Sequence, residues 1–552
     1  MKHFKTIILL VLLCQFTNAN AQLSTNEKPI CFNSRRDLTV ISKSAVPVAT
    51  MPQLDMIKIK KEDKEDEEYD IPPRFGYSHK VNYDLNNSGT WYELPNGDKI
   101  WQLDVICPNA LSVNFCYDKF WIPEGGKLFI YSKDKKHSIG AFTSRNNKGN
   151  RESIRGFATG LVYGSEVVME YYQPKETTTN AIISIDYIVH GYRYINILRD
   201  DMDCMVGINC PEGQNWQNEK KAVALMLMGG NRCCTGSLIN TTDLSQKPYF
   251  LTANHCIRGN DAVTSQNLDY YLFYWNYEAP GCNTPPHQIN DYYTSGAMVV
   301  ANYNPIDFAL LRLTEDPQNL TDYTPYYLGW DRSGQSGDPG VCIHHPRGTF
   351  KKISTVATQP IAGNVSWKVH WRLTQSGHGT TDGGSSGSPL LTSEHKVIGH
   401  LGSGDASCEN LEGEDIFRRF DVSWTGYYND SIQRKLSYWL DSLNTGVQTI
   451  EGLLIIPSVQ TITTDQQLYS NIRITSSGQL TIQSELELMG DSRVIVETGG
   501  QLIIDGGTLS NVDVVLKSGS SLRIINGGII ETRNGLEAPI GATIDILNGQ
   551  VL

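Results

Sequence analysis

Between residues 76 and 193 apolar and polar residues alternate in short runs, among them "KIWQLDVICP", "KLFIYS", "EVVMEYY" and "AIISIDYIVHGY", with Gly, Asn and Pro turns between them. Alternation with period two marks strands that bury one face, and its repetition between turns predicts an antiparallel, β-sandwich-like unit. After residue 450 the pattern changes. "SGQLTI", "GGQLII", "GSSLRI" and "GATIDI" set Leu480, Leu502, Leu522 and Ile544 at steps of 22, 20 and 22 residues. A Gly turn and a short strand recurring at that interval predict a β-solenoid, whose rungs bury their apolar side only by stacking. Just before it, "RKLSYWLDSLNTG" has the apolar spacing of a closing helix. Near the start, "IKIKKEDKEDEEYDIPPRF" mixes both charge signs within the polar stretch 22–75 and reads as a solvated linker or exposed helix.

The first residues, "MKHFKTIILLVLLCQFTNANAQ", combine two lysines, a short apolar core and small residues at Ala19 and Ala21. That is the form of a secretory signal cleaved after Ala21, with an apolar core too short to span a bilayer. At 552 residues the chain is too long for one core, and a net charge of −12 argues against nucleic acid as a partner. Export makes cysteines informative. Beyond Cys14 eleven remain, with no CxxC pair, so disulfides are expected rather than zinc, and no metal or cofactor. An odd number leaves one thiol over, for which Cys31 is the candidate, while Cys107 and Cys116 stand where they can staple neighbouring strands.

The chemistry centres on "TTDGGSSGSPLLTSEHKVIGHL", residues 380–401, which holds Ser385, Ser386 and Ser388. A serine hydroxyl is a poor nucleophile unless a histidine takes its proton and a carboxylate orients that histidine. "YFLTANHC" offers His255 after an apolar strand, and "NPIDFALLRL" offers Asp307 at the head of another. A carboxylate beside such a strand tends to be buried, and a buried carboxylate needs a partner.

The order and flanks of these residues resemble the chymotrypsin-like serine peptidases. "GGSSGSP" matches their serine motif with Ser386 as nucleophile, and the N–H groups of Gly384 and Ser386 as oxyanion donors. The likeness is closer to the lysyl endopeptidases of Gram-negative bacteria. It is carried over about 200–448 by "CPEG", "CTGSL", "YFLTANHC", "YWNY", "GWD", "IHHP", "GGSSGSP" and "VSWTG". The resemblance implies a double β-barrel with the site between barrels, and disulfides Cys204–Cys408, Cys210–Cys282 and Cys234–Cys256. Cys233 and Cys342 have no partner in that pattern and are candidates for a further bridge. It also implies a specificity acid at Asp415, within Asp415-Ile416-Phe417-Arg418-Arg419, with Asp382 as the second candidate. Two departures stand out: Arg418 replaces a glycine, where a cation would narrow the pocket or compete for the acid, and Gly402 stands where a histidine is expected. Ser385 occupies the position of the acid that in many relatives binds a freed N-terminus.

These readings predict a mainly β chain: a signal peptide 1–21, a pro-region 22–199 with a β domain at 76–193, a peptidase domain 200–448 and a solenoid-like region 449–552. The function they imply is a secreted serine endopeptidase acting after Lys or Arg on protein or peptide substrates. The alternative is an inactive peptidase-like adhesin or scaffold, its solenoid contacting a cell surface or another protein.

Overall fold

The computed structural model describes residues 27–32, 47–69, 71–193, 204–257, 268–282, 292–320 and 322–552; the signal segment and the Arg199 junction lie outside them. The chain is mainly β. Its amino-terminal part forms two facing sheets. One has the order Val48–Thr50, Lys99–Ile106, Glu166–Gln173, Lys127–Ser132 and Ser138–Phe142; the other has Phe157–Ala158, Ser112–Trp121, Ile182–Gly191 and Gly76–Asp84. The alternating apolar residues meet between them, with Trp101, Phe115, Tyr117, Ile130 and Tyr171 buried. The same apolar cluster continues into Leu225, Leu227, Leu272, Tyr274 and Phe350 of the following region, so the sandwich and its neighbour share a core.

The middle of the chain forms the two sheets of a double β-barrel. The first has the order Tyr293–Ser295, Leu272–Tyr274, Val223–Met228, Arg232–Leu238, Tyr249–Ala253, Phe308–Leu313 and Ala297–Tyr303. The second includes Lys352–Thr355, Pro339–His344, Pro389–Thr392, Lys396–Gly404, Asp415–Arg419 and Ser366–Val369 in that order. Disulfides join Cys204 to Cys408, Cys210 to Cys282 and Cys234 to Cys256.

The solenoid follows as two parallel sheets. Leu480, Leu502, Leu522 and Ile544 stand in register on adjacent strands, so the spacing in the sequence becomes one apolar ladder. The first three are buried, whereas Ile544 on the last strand of that sheet is 41% exposed. The solenoid is tied to the barrels by strand pairing: Tyr326 and Tyr327 pair with Leu454 and Leu453.

Four expectations are corrected. Cys107 and Cys116 are buried free thiols, because their strands are held by sheet pairing and core packing rather than a staple. Cys233 and Cys342 are likewise free and buried, so thiols are left over at more places than Cys31. The expected closing helix shortens to Ser437–Leu440 after a turn at Ile432–Arg434. The charged stretch contains a helix, Met56–Glu68, that is not wholly solvated: Asp63 is buried and pairs with Arg74 and Arg193.

Candidate active site

His255 lies in the single turn Asn254–Ile257 that follows strand Tyr249–Ala253. Asp307 ends the turn Asn304–Ile306 and opens strand Phe308–Leu313. These strands are neighbours, with Ala253 opposite Phe308, so the two turns emerge side by side. His255 Nδ1 is 2.9 Å from Asp307 Oδ2, and the His255 N–H donates to Oδ1 at 2.9 Å. Burial alone would raise the Asp307 carboxyl, but its hydrogen bonds to His255 and the His255 charge outweigh that and hold it below the usual range. His255 Nε2 is buried and makes no hydrogen bond, so Ser386 Oγ is not bonded to it here.

Asp307 has φ 49° and ψ 38°, in the left-handed region. Its carbonyl accepts from Asn254 N at 3.0 Å and from His400 Nε2 at 2.9 Å. His400 comes from strand Lys396–Gly404 of the second sheet and is wholly buried; burial lowers its pKa to about 4, which keeps the ring neutral. Neutral His400 therefore donates from Nε2, and its main-chain partner fixes the tautomer.

The three serines are held differently. Ser385 is buried, its hydroxyl 2.8 Å from His344 Nδ1, while His344 Nε2 is 3.0 Å from Ser354 Oγ. Ser388 is buried with its hydroxyl 3.1 Å from Cys342 Sγ. Ser386 alone of the three lines a cavity of about 260 Å³, with Thr381, Leu401, Gly404 and Ala406. Thr235 of the first sheet clamps the Ser386 loop: its N–H donates to Ser386 O at 2.9 Å and its hydroxyl to Gly384 O at 2.9 Å. Gly384 has φ 90°, a conformation suited to glycine, and neither its N–H nor that of Ser386 is hydrogen-bonded among the described residues. Two unengaged N–H groups beside a serine are what an oxyanion hole requires.

Asp415 stands behind the cavity wall. It is wholly buried, and its Oδ2 accepts from Trp371 Nε1 and Thr381 Oγ1, both at 2.6 Å. Oδ1 has no well-formed hydrogen bond; the Ala406 amide stands near enough to ease its charge. Burial pushes the carboxyl up to about 6. A Cβ on Gly404 would collide with Oδ1, so that glycine gives the carboxylate its place next to the cavity. Asp382 also lines the cavity but is paired with Arg347 Nε at 2.7 Å. Arg418 forms no ion pair with Asp415: its side chain lies across Gly402, where a Cβ would come within 2.7 Å of Arg418 Nε. The missing histidine and the added arginine thus share one space.

Sequence reasoning passed over Trp371, Thr381, His400 and Arg347, and took "IHHP" only as a matching string. His344, at the end of a mostly apolar strand, signals buried polar partners, which are Ser385 and Ser354. Among the described residues, Cys234, His255 and Cys256 form a cluster of metal-ligand types, but both sulfurs are in a disulfide, which leaves a lone imidazole.

Residues 198–418 match the family model "Lysyl endopeptidase, C-terminal domain". A lysyl endopeptidase of Pseudomonas aeruginosa is 31% identical over 205 residues, a match that covers 35% of this chain and 43% of that protein. The chain thus spans less than half the length of that relative. Two solved structures overlay slightly: a serine endoprotease from Yersinia pestis (17% identity, TM-score 0.26, 38% of this chain and 63% of that one) and the HtrA-type protease AlgW with tripeptide (15%, 0.26, 38% and 59%). At these scores neither bears on fold or function. In sequence, over the region that holds His255, Asp307, Ser386 and Asp415, this chain is similar to the bacterial lysyl endopeptidases.

Proposed function

We propose that the protein is a secreted serine endopeptidase that cleaves after basic residues. His255 takes the proton of Ser386 as the hydroxyl attacks the scissile carbonyl, and Asp307 orients the imidazole and stabilises its charged form. The N–H groups of Gly384 and Ser386 receive the developing oxyanion. His255 then protonates the leaving amine, and water hydrolyses the acyl-enzyme by the same route in reverse. The observation that carries this reading is one cavity bordered by Ser386 and by Gly404, the glycine on which a Cβ would collide with Asp415 Oδ1. An acid there favours a cationic side chain, because a buried carboxylate without a partner is costly. With Oδ2 already taken by Trp371 and Thr381, Oδ1, buried beside Gly404 and without a hydrogen bond, is the oxygen left to face a substrate cation. A single oxygen suits the point charge of lysine; a two-pronged guanidinium contact lacks its second acceptor. Lysine is therefore preferred and arginine tolerated.

Secretion accords with three disulfides and, among the described residues, no helix long and apolar enough to cross a membrane. Residues 22–199 act as a pro-region, removed by cleavage after Arg199 to leave Asp200 as the new N-terminus. Fluorophosphonate labelling together with mapping of cleavage sites in a denatured test protein decides the matter. Labelling that disappears in Ser386→Ala, with cuts after Lys and some Arg, supports the reading. No labelling favours the inactive scaffold, and cuts after apolar or acidic residues overturn the specificity.

A further inference from the structure

The helix Met56–Glu68 ends in acidic residues, the unfavourable sign for a helix C-terminus. Each of two meets an arginine of the barrels, and one of these, Arg347, lines the Ser386 cavity. Arg232 NH2 is 2.7 Å from Asp66 Oδ2, and Arg347 NH1 is 3.2 Å from Glu67 Oε1. The chain beyond the helix stays in the cleft: Arg232 NH1 donates to Pro72 O at 2.6 Å, Cys233 N to Pro73 O at 3.1 Å and Phe75 N to Asn231 O at 2.9 Å. Ile71 and Pro73 line the same cavity as Ser386.

Both arginines are fixed relative to the nucleophile. Arg347 sits at φ 49°, a conformation that costs a non-glycine residue, and is held there by its N–H to Gly383 O at 2.5 Å and its Nε to Asp382 at 2.7 Å. Gly383 and Asp382 belong to the loop that carries Ser386. Arg232 opens the strand whose Cys234 is bridged to Cys256, the residue after His255. His255 gives its proton to the leaving amine, whereas Asp415 and Gly404 lie by the acyl side chain. Arg347 lines the Ser386 cavity where it meets Gly383, and Arg232 leads into the strand bridged to the His255 turn, so both are assigned to the end of the cleft from which the amine leaves.

We propose that Arg232 and Arg347 form a subsite for acidic side chains that follow the scissile bond, and that Asp66 and Glu67 occupy it in the full chain. The proposal rests on the peptidase reading above. When the leader departs, Arg232 loses Asp66, and Arg347 keeps Asp382 but loses Glu67 from its NH1, so a partly buried cationic edge is left to meet new carboxylates. The chain's own junction carries that chemistry, because Arg199 is followed by Asp200-Asp201 and then Asp203.

The test uses the secreted active protein and two internally quenched peptides, Ala-Ala-Lys-Asp-Asp-Ala and Ala-Ala-Lys-Asn-Asn-Ala, with fluorophosphonate labelling as the check on the site. The wild type should favour the acidic peptide at least fivefold in kcat/KM at low salt. That ratio should shrink as salt rises and fall near one in Arg232→Gln/Arg347→Gln. Equal rates in the wild type, or an unchanged ratio in the double variant, overturn the subsite while leaving the peptidase reading intact. No turnover and no labelling overturn both. A second arm avoids substitution in the cleft: Asp66→Asn/Glu67→Gln in the full chain should speed labelling of Ser386 severalfold, and an unchanged labelling rate overturns the proposed occupancy.

Discussion

Trp371 Nε1 and Asp415 Oδ2 stand 2.6 Å apart in a wholly buried contact. The indole and the Thr381 hydroxyl hold one carboxylate oxygen and leave the other toward Gly404. Asp415→Asn keeps the shape and removes the charge. Loss of one member of a buried charge pair costs about 2–5 kcal/mol, so kcat/KM on lysine peptides should fall roughly thirtyfold or more. Ser386 should still label with a small fluorophosphonate. Trp371→Phe should lower the preference of Lys over Arg, since it returns a lone pair to Oδ2; peptide pairs differing only in that residue measure it.

The raised Asp415 carboxyl gives a pH signature. Below about 6 it is protonated and offers no charge to a cation. The ratio of kcat/KM for a lysine peptide to that for its uncharged isostere should therefore rise as pH climbs through about 6. Taking the ratio cancels the titration of the shared triad. Stability moves the other way: the unfolded carboxyl releases its proton first, near its ordinary value of 3.8, so stability falls between there and about 6. Both trends should vanish in Asp415→Asn.

Substitution should separate the neighbouring serines. Ser386→Ala should abolish labelling and nearly all turnover. Ser385→Ala should keep the nucleophile but leave buried His344 short of a partner, at a cost of about 1–3 kcal/mol, seen as a lower Tm. Asp307→Asn should lower the rate about 10⁴-fold, by analogy with the Ser-His-Asp template.

His400 Nε2 donates to the Asp307 carbonyl, and under the proposed function it serves as a positioning residue for Asp307. Replacing it with leucine removes a donor from the Asp307 carbonyl and should lower kcat with little change in KM. His400→Gln, which keeps an N–H at that reach, should recover most of the loss. Equal loss in both variants would mean that the ring only fills space.

The solenoid was legible in the sequence because Leu480, Leu502, Leu522 and Ile544 make their contacts at a fixed step, so local pattern and three-dimensional ladder coincide. The strands of the sandwich were legible for the same reason, but its shared core with Leu225 and Phe350 was not, since partners across an interface leave no periodic trace. At the site, His255, Asp307 and Ser386 carry recognisable flanks. Trp371, Thr381 and His400 have none; Trp371 reaches Asp415 from just beyond strand Ser366–Val369, Thr381 from the loop before Ser386, and His400 reaches Asp307 from strand Lys396–Gly404, so only the tertiary fold brings them there. The thiols were misjudged because a cysteine count says nothing about which sulfurs the core will keep apart. Burial decided that for Cys107, Cys116, Cys233 and Cys342.

The strand pairing of Tyr326–Tyr327 with Gly452–Ile456 makes the solenoid an extension of the barrels. From Val459–Ile462 to Thr543–Leu547 the ladder takes successive parallel steps, each about 4.8 Å, which together carry the far end roughly 19 Å outward. Such a ladder is a ruler with one division per repeat. Inserting or deleting a repeat would move whatever the far end touches by one division while leaving the geometry around Ser386 as it is.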